Sequence, residues 1–181
     1  MDRYNMLDAP MYKDVSFSNI DTSMYEPYRS QIKDCLNGNK GVFIYGDVGV
    51  GKTMLMMCIA REMKDSLVIK LDTLTEQLRA TYRATSTTED YRLLEQIYRR
   101  PNLFIDDLGV ESFIKNGGDN FTQRVLYKVV ENRLVRGKVT SFTCNYSISQ
   151  LVNERGVEKR TADRIVGSCR SIEIRGGSKR W

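Results

Sequence analysis

Residues 46–53 read Gly46-Asp47-Val48-Gly49-Val50-Gly51-Lys52-Thr53, and they constrain this 181-residue chain more than any other segment. The eight residues fit the pattern G-x-x-x-x-G-K-[ST], follow an apolar run and open a helical pattern. Glycines let the main chain curl so that successive N–H groups point at phosphate oxygens, and the helix N-terminus adds the positive end of its dipole. The segment therefore predicts a phosphate-binding loop.

Two side chains of this loop have predicted roles of their own. Lys52 supplies a point charge toward the β- and γ-phosphates, and Thr53 offers a hydroxyl to Mg²⁺. The loop and the first helical residue after it together form the predicted ATP site, which comprises Gly46, Asp47, Val48, Gly49, Val50, Gly51, Lys52, Thr53 and Met54.

Apolar segments and helical patterns alternate along the rest of the chain. The predicted strands are Gly41–Tyr45, Leu67–Leu71, Asn102–Asp106, Val139–Cys144 and Arg170–Ile174. The predicted helices are Pro27–Leu36, Thr53–Lys64, Asp72–Arg83, Asp90–Arg99, Phe121–Arg136 and Val157–Val166. This alternation predicts an α/β fold with a five-stranded, mainly parallel sheet sandwiched by helices. We expect one domain, with an N-terminal arm and short helix over 1–36 and the core over 37–181.

Polar residues follow two of the predicted strands. Asp106 and Asp107 close the apolar run Leu103–Asp107, and Asn145 follows the strand Val139–Cys144. Ligands of open α/β sheets bind at the carboxyl ends of the strands. We therefore predict that Asp106 holds Mg²⁺, that Asp107 orients or deprotonates the attacking water, and that Asn145 contacts the γ-phosphate and that water.

Composition narrows the classes of function. The net charge of +5 favours an anionic partner, and the absence of histidine excludes His-based triads and bases. The four cysteines are too scattered for a zinc site and fit a reducing cytosol, and no apolar run is long enough to span a membrane. The chain is expected to be cytoplasmic, with no membrane partner.

Arginines are frequent in the C-terminal stretch, and an arginine that reaches a neighbour's γ-phosphate would stabilise charge in the transition state. The pattern alone does not choose among Arg160, Arg164, Arg170, Arg175 and Arg180.

The order of these segments resembles the AAA+ ATPases, and in particular the DnaC/IstB group of helicase loaders and transposition helper ATPases. The resemblance rests on GDVGVGKT, NLFIDDLG, TCNYS, TADRI and the ending GGSKRW. It implies a P-loop core without a C-terminal lid domain, with Asn145 as sensor 1 and Arg164 as an arginine finger that acts on a neighbouring subunit. It also places Arg180 near the nucleotide.

The family's single-stranded DNA contacts come from the interval between the second strand and Asp106. That interval holds arginines beside tyrosines, which could contact phosphates and stack on bases: Arg79, Tyr82, Arg83, Tyr91, Arg92, Tyr98, Arg99 and Arg100. An ordinary pair of amphipathic helices would explain the same pattern equally well. The chain departs from the family in the glycine-rich Lys115–Asn120 segment and in Cys144, which replaces a small polar residue.

These features favour a helicase loader that hydrolyses ATP slowly, forms a ring or spiral of identical subunits, and binds single-stranded DNA and a replicative helicase. A transposition helper ATPase, working with a transposase, fits nearly as well. A P-loop small-molecule kinase and a nucleotide-gated interaction module are the alternatives of other classes.

Overall fold

The computed structural model describes residues 12–83, 87–109, 113 and 121–178, with the main chain alone at 81–83 and 87–91. A 3-10 helix over Ser23–Tyr28 precedes the regular elements. The strands are β1 (Gly41–Tyr45), β2 (Ser66–Lys70), β3 (Asn102–Leu108), β4 (Val139–Cys144) and β5 (Cys169–Glu173). The helices are α1 (Arg29–Leu36), α2 (Lys52–Glu62), α3 (Leu71–Arg83), α4 (Thr87–Arg99), α5 (Phe121–Val135), α6 (Ile148–Asn153) and α7 (Lys159–Ser168).

The five strands form one sheet in the order β2-β3-β4-β1-β5, and every neighbouring pair is parallel. The predicted α/β fold and the sheet of five strands are confirmed. Two strands have the predicted bounds, whereas β3 continues two residues further, to Leu108. The extension includes Asp107, which lies where the pairing of β3 with β4 shifts register.

Alternate strand residues point into two apolar clusters, as expected for a sheet covered on both faces. Val42, Ile44 and Phe104 pack with α1 and α2 on one face. Phe43, Ile105 and Phe142 pack with α3, α5 and α7 on the other. The two clusters hold the strands rigidly, so the carboxyl ends of β1, β3 and β4 have fixed relative positions.

The structure corrects the start of the first predicted helix and adds one helix. The helix predicted from Pro27 begins at Arg29, because Pro27 lies in the 3-10 helix before it. Helix α6 was not predicted, although Ser147 and Gln150 form a reciprocal capping box that the sequence S-x-x-Q signals. Among the described residues, no helix is both long and apolar enough to cross a membrane.

Candidate nucleotide-binding site

The phosphate loop connects β1 to α2, as the sequence predicts. Gly46, Gly49 and Gly51 have φ values of 145°, 84° and 99°, which favour glycine, and Gly51 is the residue from which α2 begins. A β-carbon added to Gly46 would lie 2.1 Å from the main-chain oxygen of Ile174. The loop therefore needs its glycines both for backbone conformation and for close approach to the chain after β5.

Lys52 is folded back into this loop. Its Nζ donates hydrogen bonds to the main-chain oxygens of Gly46, at 2.9 Å, and Asp47, at 2.6 Å, and the residue is only 6% exposed. Burial lowers the pKa of its ammonium, and the carboxylate of Asp107 is the largest influence that opposes this. Because a phosphate oxygen carries more negative charge than a carbonyl oxygen, a bound phosphate would compete with these two carbonyls for the ammonium.

Asp106 lies across from α2, at the end of β3. Its Oδ1 accepts hydrogen bonds from the hydroxyls of Thr53, at 3.0 Å, and Thr143, at 2.5 Å. The residue is 2% exposed, and burial raises the pKa of its carboxyl while these two hydroxyls lower it. The structure thus brings together Thr53 and Asp106, the two predicted metal ligands.

Thr143 was missed by the sequence analysis. This residue of β4 is completely buried, and its hydroxyl accepts a hydrogen bond from the main-chain N–H of Asp107 at 2.9 Å while it donates to Asp106. One hydroxyl therefore fixes both members of the acidic pair. The residue belongs to the site although it lies within the strand and not at its end.

Asp107 adopts a different conformation from its neighbour. Its φ is 57°, and the pairing of β3 with β4 shifts register between Ile105 and Leu108. This break turns the Asp107 side chain outward, where it is 38% exposed and its Oδ2 lies 3.6 Å from Nζ of Lys70. Lys70 ends β2 and was also missed, because nothing in the strand pattern distinguishes it from an ordinary exposed lysine.

Asn145 follows β4 directly, and the last β4 residue, Cys144, pairs with Tyr45 at the end of β1. The phosphate loop begins immediately after Tyr45, so parallel pairing sets Asn145 and Gly46 beside each other at one edge of the sheet. Contact of Asn145 with a γ-phosphate stays a prediction.

Two further residues, from the 3-10 helix and from the segment after β5, lie against the phosphate loop. The hydroxyl of Tyr25, in the 3-10 helix, donates to the main-chain oxygen of Gly51 at 3.2 Å. A β-carbon added to Gly49 would lie 2.4 Å from the Ser178 hydroxyl oxygen, so the segment after β5 lies against the loop. Arg180, predicted to be near the nucleotide, lies outside the described residues, which reach Ser178 at this point.

The donor set fits Mg²⁺ bound together with phosphate. Thr53 and Asp106 offer a hydroxyl and a carboxylate, the hard oxygen ligands that Mg²⁺ prefers, and the ion usually keeps water and phosphate oxygens as its other ligands. Within the described ranges, no group of three or more Asp, Glu or Cys residues could hold a metal by itself.

Comparison with known proteins is decisive for the family. A model of the family described as IstB-like ATP binding protein matches residues 28–181. The chain belongs to this family. The match spans most of the chain and includes the phosphate loop, the acidic pair and Asn145, so the predicted membership of the DnaC/IstB group is confirmed, and this IstB-like protein is an ATP-binding AAA+ domain.

One similar curated relative is the replicative helicase loader DnaI of Bacillus subtilis (strain 168), which is 26% identical over 138 residues. The match covers 74% of the IstB-like chain and 42% of the relative, so the chain spans less than half of the length of that loader.

Two solved structures have the same fold. The crystal structure of the DnaC helicase loader has a TM-score of 0.76 at 19% identity, covering 92% of the IstB-like chain and 100% of the other. The replication initiator DnaA bound to AMPPCP and single-stranded DNA has a TM-score of 0.75 at 20% identity, with coverages of 93% and 51%. At these identities, the likeness extends to the fold alone.

The predicted finger of this IstB-like protein forms an ion pair on the surface of its own chain. Arg164 is in the middle of α7, whose buried face is formed by Thr161, Ala162 and Ile165. Its guanidinium pairs with the carboxylate of Glu131 on α5 and is 34% exposed. The residue is therefore on the surface, and its action on a second subunit stays a prediction.

The predicted DNA-contacting tyrosines need one correction. Tyr98 is only 8% exposed, and the guanidinium of Arg136 lies 5.2 Å from the centre of its ring. Its ring faces the core cluster, so it is not a platform for stacking bases. The side chains of Tyr82, Arg83 and Tyr91, and the segment Lys115–Asn120, lie outside the described residues. Arg79, Arg92 and Arg99 are exposed on α3 and α4.

Proposed function

We propose that this chain is the ATPase domain of a replicative helicase loader, which binds ATP·Mg²⁺ between identical subunits. The observation that carries the proposal is the convergence of Lys52, Thr53, Asp106 and Asn145 at one edge of the sheet. The relative that is a replicative helicase loader supports the cellular role, because its similarity includes 74% of this chain. As the chain spans 42% of that relative, contact with a helicase is itself part of the proposal.

The chemistry follows from the groups in place. Loop N–H groups and Lys52 would hold the triphosphate, and Thr53 with Asp106 would hold Mg²⁺, which when bound neutralises phosphate charge. Asp107, exposed and turned away from Asp106, would accept the proton of a water or orient it, and Asn145 would steady that water. Arg164 of a second subunit would complete the charge stabilisation. We expect slow turnover by the isolated chain, since the finger comes from outside.

Single-stranded DNA is the proposed nucleic-acid ligand. The exposed cations Arg79, Arg92 and Arg99 lie on α3 and α4, and backbone phosphates would bind them in competition with contacts such as the Arg99–Glu95 ion pair. A structure of the same fold, the initiator DnaA, has been solved with single-stranded DNA, which supports this choice. The family's description as IstB-like favours a second candidate, a transposition helper, which would prefer duplex DNA.

The decisive experiment measures nucleotide binding and turnover in the same preparation. Calorimetry should detect ATP binding in the presence of Mg²⁺, and Lys52→Ala should abolish it while leaving the melting temperature within a few degrees. Turnover should rise on addition of single-stranded DNA more than on addition of duplex DNA of equal length. Absence of ATP binding by the folded protein would refute the proposal, and stronger stimulation by duplex would favour the transposition helper.

A second experiment tests whether sites are shared. Lys52→Ala protein keeps the finger and Arg164→Ala protein keeps the phosphate loop, so each should be inactive alone. Mixing them should restore activity, because an intact loop then meets an intact finger across the boundary between subunits. Failure to recover at any ratio, with both variants folded and assembled, would contradict the shared site.

A further inference from the structure

Four side chains of α5 and α7 form a small surface network around the predicted finger. Tyr127 and Glu131 lie one turn apart on α5, and Arg160 and Arg164 lie one turn apart on α7. The guanidinium carbons of Arg160 and Arg164 lie 4.2 Å and 5.8 Å from the centre of the Tyr127 ring. Glu131 accepts two hydrogen bonds from Arg164.

The geometry of the Arg164–Glu131 pair leaves part of the guanidinium available. Its Nε donates to Oε2 and its Nη2 donates to Oε1, the latter at 3.1 Å, so the pair uses the side edge of the planar group. The end edge, formed by Nη1 and the second N–H of Nη2, keeps its donors for another anion. A guanidinium binds carboxylate and phosphate through such paired donors, and one group can serve two anions at its two edges.

Stability does not explain this arrangement. Both members of the pair are about one-third exposed, with side-chain exposures of 34% and 30%, and exposed ion pairs contribute little to folding. Holding a long arginine in one orientation is useful instead for binding, because ordering such a side chain only at association weakens the complex. The Tyr127 ring adds a weaker contact to the same guanidinium, at 5.8 Å from its centre, and holds Arg160 more closely, at 4.2 Å.

We propose that Glu131 and Tyr127 are positioning residues, which hold Arg164 with its end edge outward so that a second copy of this chain presents it correctly to a bound triphosphate. This inference rests on the proposed function, in which Arg164 acts across a subunit boundary. It adds that the finger is preorganised within its own subunit by α5. Loss of Glu131 should therefore weaken only the sites to which the altered subunit donates its finger.

The test uses the mixing experiment with one more change. Arg164→Ala protein, which supplies the phosphate loop, is mixed with Lys52→Ala protein that also carries Glu131→Ala. We expect the restored activity to fall about three- to tenfold relative to the mixture without Glu131→Ala, from the ordering of one long side chain. Placing Glu131→Ala in the Arg164→Ala partner instead should leave the restored activity unchanged. A structural role of Glu131 would lower activity in both placements.

Matched variants separate the parts of the network. Arg160 lies one turn before Arg164 on α7 and pairs with Glu158. Glu158→Ala in the finger-donating protein removes that carboxylate and should leave the restored activity unchanged. Tyr127→Phe keeps the ring and should preserve activity, whereas Tyr127→Ala should lower it. Glu131→Gln keeps one acceptor oxygen and should lie between Glu131→Ala and the unchanged residue.

The outcomes distinguish the two proposals. If the original mixture recovers and Glu131→Ala in the finger donor changes nothing, the positioning role is refuted and the shared site stands. If Glu131→Ala or Glu131→Gln raises activity, the pair restrains the finger and the positioning role is also refuted. If the original mixture does not recover, the shared site fails, and with it the role of Glu131.

Discussion

Replacing Thr143 by valine removes one hydroxyl from the centre of the site while the shape of the side chain is kept. In the native protein this hydroxyl donates to Oδ1 of Asp106 at 2.5 Å and accepts from the N–H of Asp107 at 2.9 Å. After the change, the buried carboxylate keeps the hydroxyl of Thr53 and loses this second donor, and the N–H of Asp107 loses its acceptor. Both losses occur without a new cavity.

The magnitude follows from the two hydrogen bonds. The bond to the buried carboxylate should contribute about 2 kcal/mol and the bond from the main-chain N–H about 1 kcal/mol. We therefore expect the free energy of unfolding of Thr143→Val to be lower by about 3 kcal/mol at neutral pH, without nucleotide or Mg²⁺. For a chain of this length, that corresponds to a fall in melting temperature of about 6–12 °C.

The pH dependence identifies the carboxylate as the cause. Burial raises the pKa of Asp106 in the folded state above its usual value, so ionisation of this group destabilises the fold and protonation relieves that cost. Without the Thr143 hydroxyl, the pKa should rise further. The loss of unfolding free energy in Thr143→Val should therefore reach its full value of about 3 kcal/mol at a pH well above the pKa of Asp106. It should shrink toward about 1 kcal/mol as the pH falls through that pKa.

The assay is thermal and urea unfolding, followed by circular dichroism, from neutral pH down to the lowest pH at which the unaltered protein stays folded. Thr143→Ser keeps the hydroxyl and should lose only about 1 kcal/mol for the missing methyl group. In an Asp106→Asn background, the deficit of Thr143→Val should become independent of pH. Equal stabilities of the valine and serine variants, or a deficit that stays constant with pH, would refute the assigned hydrogen bond.

Two other changes test the surroundings of the site. Lys70→Met removes the partner of Asp107. Because that pair is more than one-third exposed, the free energy of unfolding should change by less than about 1 kcal/mol, while basal ATP turnover should rise about two- to fivefold at unchanged ATP affinity. Lys70→Arg is the control, and unchanged turnover in the methionine variant would show that Lys70 does not restrain Asp107. Arg133 is completely buried at the opposite edge of the sheet, where it donates hydrogen bonds to the Thr140 hydroxyl and to four main-chain oxygens. Arg133→Met should therefore lower the free energy of unfolding by at least about 3 kcal/mol. Calorimetry should then find the ATP affinity of the folded Arg133→Met protein unchanged, and a loss of affinity at unchanged melting temperature would contradict this assignment.

The phosphate loop and the strand before it could be predicted because everything they need is local. Gly46, Gly49 and Gly51 are required by the backbone conformation of the loop itself, and the apolar run Gly41–Tyr45 is buried on both faces. The acidic pair near the carboxyl end of β3 was predicted for the same reason, since the change from apolar to acidic residues is visible in the sequence, although the strand itself continues to Leu108. The left-handed conformation of Asp107 could not be, because it depends on the break in pairing with β4.

Residues within strands were harder to assign than residues at strand ends. Thr143 lies in the run Val139–Cys144, where a threonine fits a strand whether or not it has a partner. The available indication was burial on both faces of a parallel sheet, since a hydroxyl there must find a hydrogen bond. Ser141 in the same strand accepts from the main-chain N–H of Val42 on β1, whereas Thr143 bonds to β3 on the other side of β4. Only the neighbouring strand distinguishes the two.

Tyr98 shows a different difficulty, in which composition and periodicity pointed to different roles and the sequence analysis left both open. Arginines on either side of it suggested contact with nucleic acid, but Leu94 and Ile97 lie at helical spacing on the same face of α4 and pack against the core. The spacing predicts burial, and the structure agrees with the spacing. The exposed arginines of this helix need no tyrosine to bind phosphates.

Asp106 and Asp107 are adjacent in sequence but differ in burial, in hydrogen bonding and in backbone conformation. The first is buried and hydrogen-bonded to two hydroxyls, whereas the second is exposed, adopts a positive φ and faces a lysine. Burial of the first carboxylate destabilises the folded protein, and a positive φ at a residue other than glycine typically costs about 1–3 kcal/mol. Both carboxylates act electrostatically on Lys52, and a bound cation would offset the burial of the Asp106 carboxylate. Binding of ATP·Mg²⁺ should therefore raise the free energy of unfolding of the whole domain, because the ligand binds only the folded state. The buried carboxylate that destabilises the empty site would strengthen this link between binding and stability.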